Sequence, residues 1–311
     1  MKIMPRIAAL VALVLSGSAA CAVPPAISAT AAIRDGAFTT DDGARIHYLQ
    51  AGKPGAAPAL VLIPGWTLTA SLWREQLQRF STDRMVLAID SRSQGISSKM
   101  ETGNTPEQRA RDLHALLGQL HVDRFVIVGW SQGAQDVAAY VQQFGTGALA
   151  GVVFVDSPVS AGTAELDIRK AFSKVILSGL AVYANHPAEY SEGMVRSIFK
   201  RPHPDLDIDA VIAQARQTPP AIGAVMLVSD IFGADRRPAL KKIDCPTLVI
   251  ASADSPLLDA QKAMAAEIAG SQLVVVSNTG HAVFVDDPSV FDDALAKLLL
   301  RSASPHPDPR L

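Results

Sequence analysis

Apolar residues gather into six short, continuous runs, at 60–63, 85–89, 125–128, 152–155, 248–251 and 273–276. Runs that are continuous rather than alternating predict strands buried on both faces, as in a parallel sheet covered by helices on each side. Helical spacing fills the intervals. Thr105, Pro106 and Gln108 form a helix start with a capping side chain and proline at the first helical position. Ala110, Leu113, Leu117 and Leu120 then recur at helical spacing. Asp287 and Pro288 open a last helix whose apolar stripe is Phe291, Ala294, Leu295, Leu298 and Leu299. The alternation predicts an α/β fold with an open, doubly wound, mostly parallel sheet and right-handed crossovers.

One interval breaks the rhythm. After residue 155 no further strand begins until about residue 247, and the stretch 158–242 is too long for a crossover. It carries helical patterns at 171–183 and 208–216, separated by proline-rich joints at Pro202, Pro204, Pro219 and Pro220. The expected organisation is a core of residues 23–157 and 243–301 with a helical cap, 158–242, inserted over the carboxyl ends of the strands. Residues 302–311, with Pro305, Pro307 and Pro309, read as a disordered tail.

The first 22 residues have another character. Lys2 and Arg6 precede an apolar run at 7–15, and Gly17, Ser18, Ala19 and Ala20 follow, which is the layout of a cleaved secretory signal. The protein is therefore expected to be exported. Cys21 stands where a bacterial lipoprotein carries its lipid, although Ser18 occupies a position where leucine is usual. Lipid anchoring at Cys21 and ordinary cleavage both remain open. The second of the two cysteines, Cys245, precedes Pro246 at the start of an apolar run and is expected to be an inert buried thiol rather than half of a disulfide. Of 311 residues 49% are apolar, enough for a large core, and the net charge of −2 gives no footprint for nucleic acid. No later run reaches the ~20 apolar residues of a membrane span, so membrane contact would come only through Cys21.

The most specific chemical signal is Gly129-Trp130-Ser131-Gln132-Gly133, between the run at 125–128 and a helical stretch. A serine on so sharp a strand-to-helix turn takes a strained backbone, and glycines two places before and after it remove side chains that would collide. Ser131 is the expected nucleophile. It needs a base, and of seven histidines His281 lies after the last strand, at the same end of the sheet. The base needs a carboxylate to fix its tautomer. Asp254, after the run at 248–251, completes the chain order Ser, Asp, His and is the expected acid. Asp156, after the run at 152–155, is the alternative. Negative charge developing on a substrate oxygen needs two fixed donors, expected to be the backbone N–H of Gln132 and that of Trp66 in the turn Pro64-Gly65-Trp66-Thr67.

From about residue 37 to 300 the chain resembles the α/β-hydrolase superfamily, and within it the cofactor-free chloroperoxidase (perhydrolase) and esterase branch. The resemblance rests on Leu62-Ile63-Pro64-Gly65-Trp66, Asp90-Ser91-Arg92-Ser93-Gln94-Gly95-Ile96-Ser97, the Ser131 motif, Pro246-Thr247-Leu248-Val249-Ile250 and Gly280-His281-Ala282. It implies ester hydrolysis through an acyl-enzyme with no metal and no organic cofactor, and in some members peracid formation from peroxide. Pro64 stands where histidine is usual, Ser93 and Ser252 where glycine is usual, and Ser255 rather than Asp254 at the usual position of the acid. The expected partner is a small or medium, largely apolar ester. Lactone hydrolysis and perhydrolysis use the same three residues, and a non-catalytic binding protein on the same fold is the alternative of another class. Trp66, Trp130, Met194, Met226 and Phe232 are candidates to line the pocket.

Overall fold

The computed structural model describes residues 31–166 and 171–302. The expected export signal with Cys21 lies outside the described residues, as do 303–311 of the expected tail; Ser302 itself is buried and ends the last helix.

Eight strands among the described residues form one sheet. They are β1 (Arg34–Thr39), β2 (Arg45–Ala51), β3 (Ala59–Ile63), β4 (Val86–Ile89), β5 (Phe125–Trp130), β6 (Leu149–Val155), β7 (Thr247–Ser252) and β8 (Gln272–Val276). All six expected runs are strands and five are buried throughout, but β8, at the sheet's edge with no further strand beyond it, leaves Leu273 and Val275 exposed. The two additional ones form an antiparallel hairpin at one edge, where β2 runs against β4. Exposed Arg34, Asp35 and Thr39 break up the apolar content of β1, and buried His47 and half-buried Gln50 that of β2, so neither leaves a continuous run.

The order β1-β2-β4-β3-β5-β6-β7-β8 has a physical consequence. The chain winds from β3 to β4 on one side and then returns to place β5 on the other side of β3. Loops leaving β3 and β5 therefore diverge and open a crevice at the carboxyl ends of the strands, where open α/β sheets build their sites.

Ten α-helices cover the sheet among the described residues: α1 (Arg74–Phe80), α2 (Pro106–Gln119), α3 (Gln132–Phe144), α4 (Ala171–Asn185), α5 (Pro187–Ser197), α6 (Ile208–Ala215), α7 (Pro220–Val228), α8 (Leu258–Glu267), α9 (Val283–Asp286) and α10 (Pro288–Ser302). The capped start of α2 is as expected: the Thr105 side chain accepts the Gln108 N–H at 3.2 Å. Helix α3 packs Ala134, Val137, Ala138 and Val141 into one buried layer with β3, β5 and α2. On the opposite face α10 buries Phe291, Leu295, Leu298 and Leu299 against β6 and β7. There Trp73 stacks on Phe284 with ring centroids 3.8 Å apart, and Trp130 meets Phe284 edge-on at 4.9 Å. Each such buried ring contributes about 1.5–3 kcal/mol by leaving water.

Between β6 and β7 the described chain is helical and contains no strand. It holds more helix than the sequence pattern predicts. Pro219 and Pro220 read as a joint, yet Pro220 opens α7, because proline's fixed φ and missing N–H suit the first helical position. The helical stretch docks on the core through a buried ion cluster. Arg109 of α2 reaches Asp136 of α3 at 2.7 Å and Asp230, just past α7, at 2.6 Å. Burial pushes the Asp230 carboxyl up to about 7, against the pull of Arg109. Asp230 Oδ2 has no hydrogen-bond partner among the described residues.

Removing the arginine from this cluster should be costly, because Asp136 and Asp230 would lose the guanidinium that hydrogen-bonds both, leaving buried Arg236 to act on them only at longer range. Arg109→Met is expected to lower stability by about 3–5 kcal/mol in urea unfolding. A loss under about 1 kcal/mol would mean that the cluster does not fasten the helical stretch to the core.

Candidate active site

Strand β5 runs into α3 with one residue between them, Ser131, at φ 55° and ψ −116°. That conformation is disfavoured for a residue with a side chain and costs about 1–3 kcal/mol. Its neighbours leave no alternative. A Cβ on Gly129 would sit 2.3 Å from the Gly133 carbonyl oxygen, and one on Gly133 would sit 2.8 Å from that of Ile63. The sequence argument for the two glycines thus has its structural counterpart. The Ser131 N–H is fixed on Val155 O at 3.0 Å, and its side chain faces the cavity described below.

His281 follows β8 on the loop Thr279-Gly280-His281. Its backbone is gripped on both sides: Trp130 Nε1 donates to His281 O at 2.9 Å, and the Ala282 N–H donates to Ile198 O at 2.9 Å. Its Nδ1 lies 2.8 Å from Asp156 Oδ2. A carboxylate can only accept, so this contact places the imidazole proton on Nδ1 and leaves Nε2 bare.

The carboxylate on the imidazole is therefore Asp156 and not Asp254, the residue expected from chain order. Asp156 stands directly at the end of β6, with its side chain only 3% exposed. Its Oδ1 accepts the Ser252 N–H at 3.0 Å and Gln261 Nε2 at 3.1 Å, so both oxygens are held. Asp254 sits in the turn beyond β7, 52% exposed, and pairs with Lys200 at 2.7 Å. Chain order cannot separate the two, because either strand end could carry an acid. The distinguishing feature is reach. Asp156 leaves a central strand beside β5, whereas two further residues carry Asp254 out of the sheet towards water.

The loop after β3 passes close to the serine: a Cβ on Gly65 would lie 3.2 Å from Ser131 Cβ. Trp66 is anchored by its ring, whose Nε1 donates to Gly223 O at 2.8 Å. Gln132 opens α3, so its N–H belongs to the unpaired first turn and lies at the positive end of the helix. Gln132 thus adjoins Ser131 in the chain, and Gly65, next to Trp66, approaches it in space.

These groups line a cavity of about 730 Å3. Its floor is Ser131, His281 and Asp156, and its walls are largely apolar, including Ile176, Met194, Phe199 and Leu227 from the helical stretch. Of the pocket candidates, Trp66 and Met194 line it. Trp130, Met226 and Phe232 do not: Trp130 packs beneath the site on Trp73 and Phe284, Met226 packs with Trp66 and Tyr183, and Phe232 is buried.

Three other described histidines have other employment. His47 bridges Asp90 at 2.9 Å and Asp35 at 3.1 Å. Burial opposes its charged form, but these carboxylates prevail and raise its pKa. His203 contacts Asp286 at 2.7 Å, and His114 stacks on Phe144. Cys245 is buried, and burial pushes its thiol up to about 12, which makes it inert. No group of three or more His, Cys, Asp or Glu suited to a metal ion occurs among the described residues. Gln261, to which the sequence pattern gives no role, and Ser252, marked there only as replacing a usual glycine, hold the Asp156 carboxylate. Only their spatial neighbours reveal them, since neither belongs to a recognisable motif.

A model of the alpha/beta hydrolase family matches residues 60–294, and the chain belongs to that family. It is 27% identical over 258 residues to a non-heme chloroperoxidase from Kitasatospora aureofaciens, covering 79% of this chain and 91% of that protein. It is 32% identical over 123 residues to a bifunctional esterase/perhydrolase from Acinetobacter calcoaceticus, covering 39% of this chain and 44% of that one. Among solved structures, a bromoperoxidase from Bacillus anthracis shares the fold, with TM-score 0.77 at 23% identity, over 86% of this chain and all (100%) of that one.

Proposed function

We propose that the protein is a serine hydrolase of carboxylic esters working through Ser131, His281 and Asp156. The observation that carries the reading is the 2.8 Å contact of His281 Nδ1 with Asp156, beside a serine held at a strained elbow on the same cavity. His281 Nε2 takes the Ser131 proton as the oxygen attacks the ester carbonyl. The N–H groups of Trp66 and Gln132 receive the negative charge on the carbonyl oxygen. Collapse expels the alcohol, which takes the proton back from His281, and leaves an acyl group on Ser131. Water, activated by the same histidine, releases the acid.

The largely apolar walls favour an ester with an apolar acyl or alcohol part, with charged groups such as Lys200, Asp230 and Asp254 confined to parts of the lining. The esterase/perhydrolase and chloroperoxidase relatives support a second acceptor, with hydrogen peroxide in place of water yielding a peracid.

The reaction is tested with p-nitrophenyl esters and a fluorophosphonate label. Wild type is expected to turn over and to be labelled at Ser131, while Ser131→Ala should do neither, with turnover reduced about 10⁴-fold or more. Near-normal turnover in that variant would sink the assignment. The acid is tested separately. Asp156→Asn should cost about 10³–10⁴-fold through the wrong imidazole tautomer. Asp254→Asn should stay within about threefold, since it loses only an exposed ion pair. The reverse ranking would return the acid role to Asp254. Export is proposed on Lys2, Arg6, the apolar run and the small residues before Cys21. The amino terminus of protein taken from its native host should begin at or just after Cys21. A mature chain starting at Met1 would refute it, and a lipid-bearing Cys21 would identify an anchored form.

A further inference from the structure

The proposed reaction needs two backbone donors held in register across two loops, and the elbow supplies only one of them. The other loop, Pro64 to Leu68, has an intrinsic difficulty. Pro64 offers neither an N–H nor a polar side chain, and Thr67 adopts φ 59°. For a β-branched residue that conformation is an outlier which persists only where surrounding structure over-determines it. Something outside the loop must hold it.

The side chain of Gln94 meets the requirement. Gln94 lies in the loop after β4 and is fully buried. Its Oε1 accepts the Thr67 N–H at 2.9 Å and Gln132 Nε2 at 3.2 Å. Its Nε2 donates to Leu68 O at 3.0 Å and to Gly65 O at 3.3 Å. A side-chain amide has two donors and two acceptor lone pairs, and all four are used. The orientation is unambiguous, because a flipped amide would set its NH₂ against the Thr67 N–H and its oxygen against two carbonyls.

The base of this clamp is itself fixed. The Gln94 N–H donates to Ser91 O at 2.9 Å, and Gln94 O accepts the Ser97 N–H at 3.0 Å. Asp90 ties the same loop down: its Oδ2 accepts the Ile96 N–H at 3.1 Å, and its Oδ1 accepts the Ala70 N–H at 2.8 Å. The clamp also selects the donor. The Thr67 N–H is occupied by Gln94 and the Leu68 N–H by Gly65 O at 3.1 Å, while the Trp66 N–H has no acceptor among the described residues.

We propose that Gln94 is a positioning residue for the oxyanion site: one buried amide joins the strained Trp66 turn to Gln132 and so sets both donors relative to Ser131. This rests on the hydrolase reading above. Gln94 touches no substrate atom. Its effect is to keep the Trp66 N–H where charge develops in the transition state, so it should act on turnover and leave ground-state binding alone.

The test compares wild type with Gln94→Leu on p-nitrophenyl butyrate, with turnover expressed per site titrated by a fluorophosphonate. Misplacing one donor, rather than deleting it, is expected to lower kcat about 10- to 100-fold. KM should stay within about threefold, and Ki for a trifluoromethyl ketone, whose adduct places an oxyanion in the site, should rise by the factor that kcat/KM falls. A purely structural role predicts fewer titratable sites, each with wild-type kcat and Ki, and that result overturns the proposal. If Gln94→Leu does not fold, Gln132→Met carries the test. It cuts the bridge at its other end, and Gln132 Oε1 already lacks a partner, so little stability is at stake. That variant should lose about 3- to 10-fold in kcat at unchanged KM; no change would overturn the proposal. A wild type that neither labels nor turns over fails the hydrolase reading itself, and this inference with it. An active wild type with an unaffected Gln94→Leu fails this inference alone.

Discussion

A single residue separates β5 from α3, and much of the site follows from that constraint. A strand and a helix joined so abruptly force Ser131 to φ 55°, and Gly129 approaches Gly133, and Gly133 approaches Ile63, too closely for any Cβ. The strain has a return. The serine side chain is lifted off the sheet, and the N–H of the next residue opens a helix and has no acceptor within it. The proposed nucleophile and first proposed oxyanion donor thus arise from the same turn. The sheet order brings the loop of the second proposed donor to the same place, because β3 lies directly beside β5 and its loop leaves the same edge in the other direction.

The proposed acid, Asp156, obeys the same neighbourhood rule. In register, Trp130 of β5 faces Val155 of β6, so Asp156 is the next position out beside Ser131. From there its carboxylate reaches the His281 loop while remaining buried, with the Ser252 N–H and Gln261 filling its other oxygen. A carboxylate one strand further along, at Asp254, faces solvent and is neutralised by Lys200. Burial matters here because an ion pair with imidazole gains little in water and much more in a drier site.

This neighbourhood is also where the sequence stops being legible. Strands β3 to β8 announce themselves by continuous apolar runs, and the elbow by its glycines, because those signals are local. The choice between Asp156 and Asp254 is not local. Both follow apolar strands, and only lateral register decides which carboxylate lies under the histidine. The β1–β2 hairpin is hidden because polar residues interrupt both strands, exposed ones in β1 and the buried His47 with half-buried Gln50 in β2, so neither carries a continuous run. Helix α7 is hidden for another reason: Pro219-Pro220 reads as a break when considered alone, yet as a helix start once apolar residues follow. Gln94 stands inside a motif already recognised, but nothing in the linear pattern says that its amide crosses to another loop.

The helical stretch between β6 and β7 completes the site rather than merely covering it. It contacts three of the loops around the site. Trp66 donates to Gly223 on α7, Ala282 beside the histidine donates to Ile198, and Thr218 Oγ1 donates to Ser93 O next to Gln94 at 3.3 Å. Asp286 gathers the Gly280 N–H at 2.6 Å and the Lys200 N–H at 2.9 Å, joining the histidine loop to the segment after α5. Asp230 fastens the stretch to α2 and α3 from the opposite side while lining the cavity. The residues that shape an apolar pocket are thus continuous with those that fix the polar groups at its floor. Substitutions in this stretch made to widen the pocket would therefore act on substrate fit and on loop position together, unless they spare Gly223, Ile198 and Thr218.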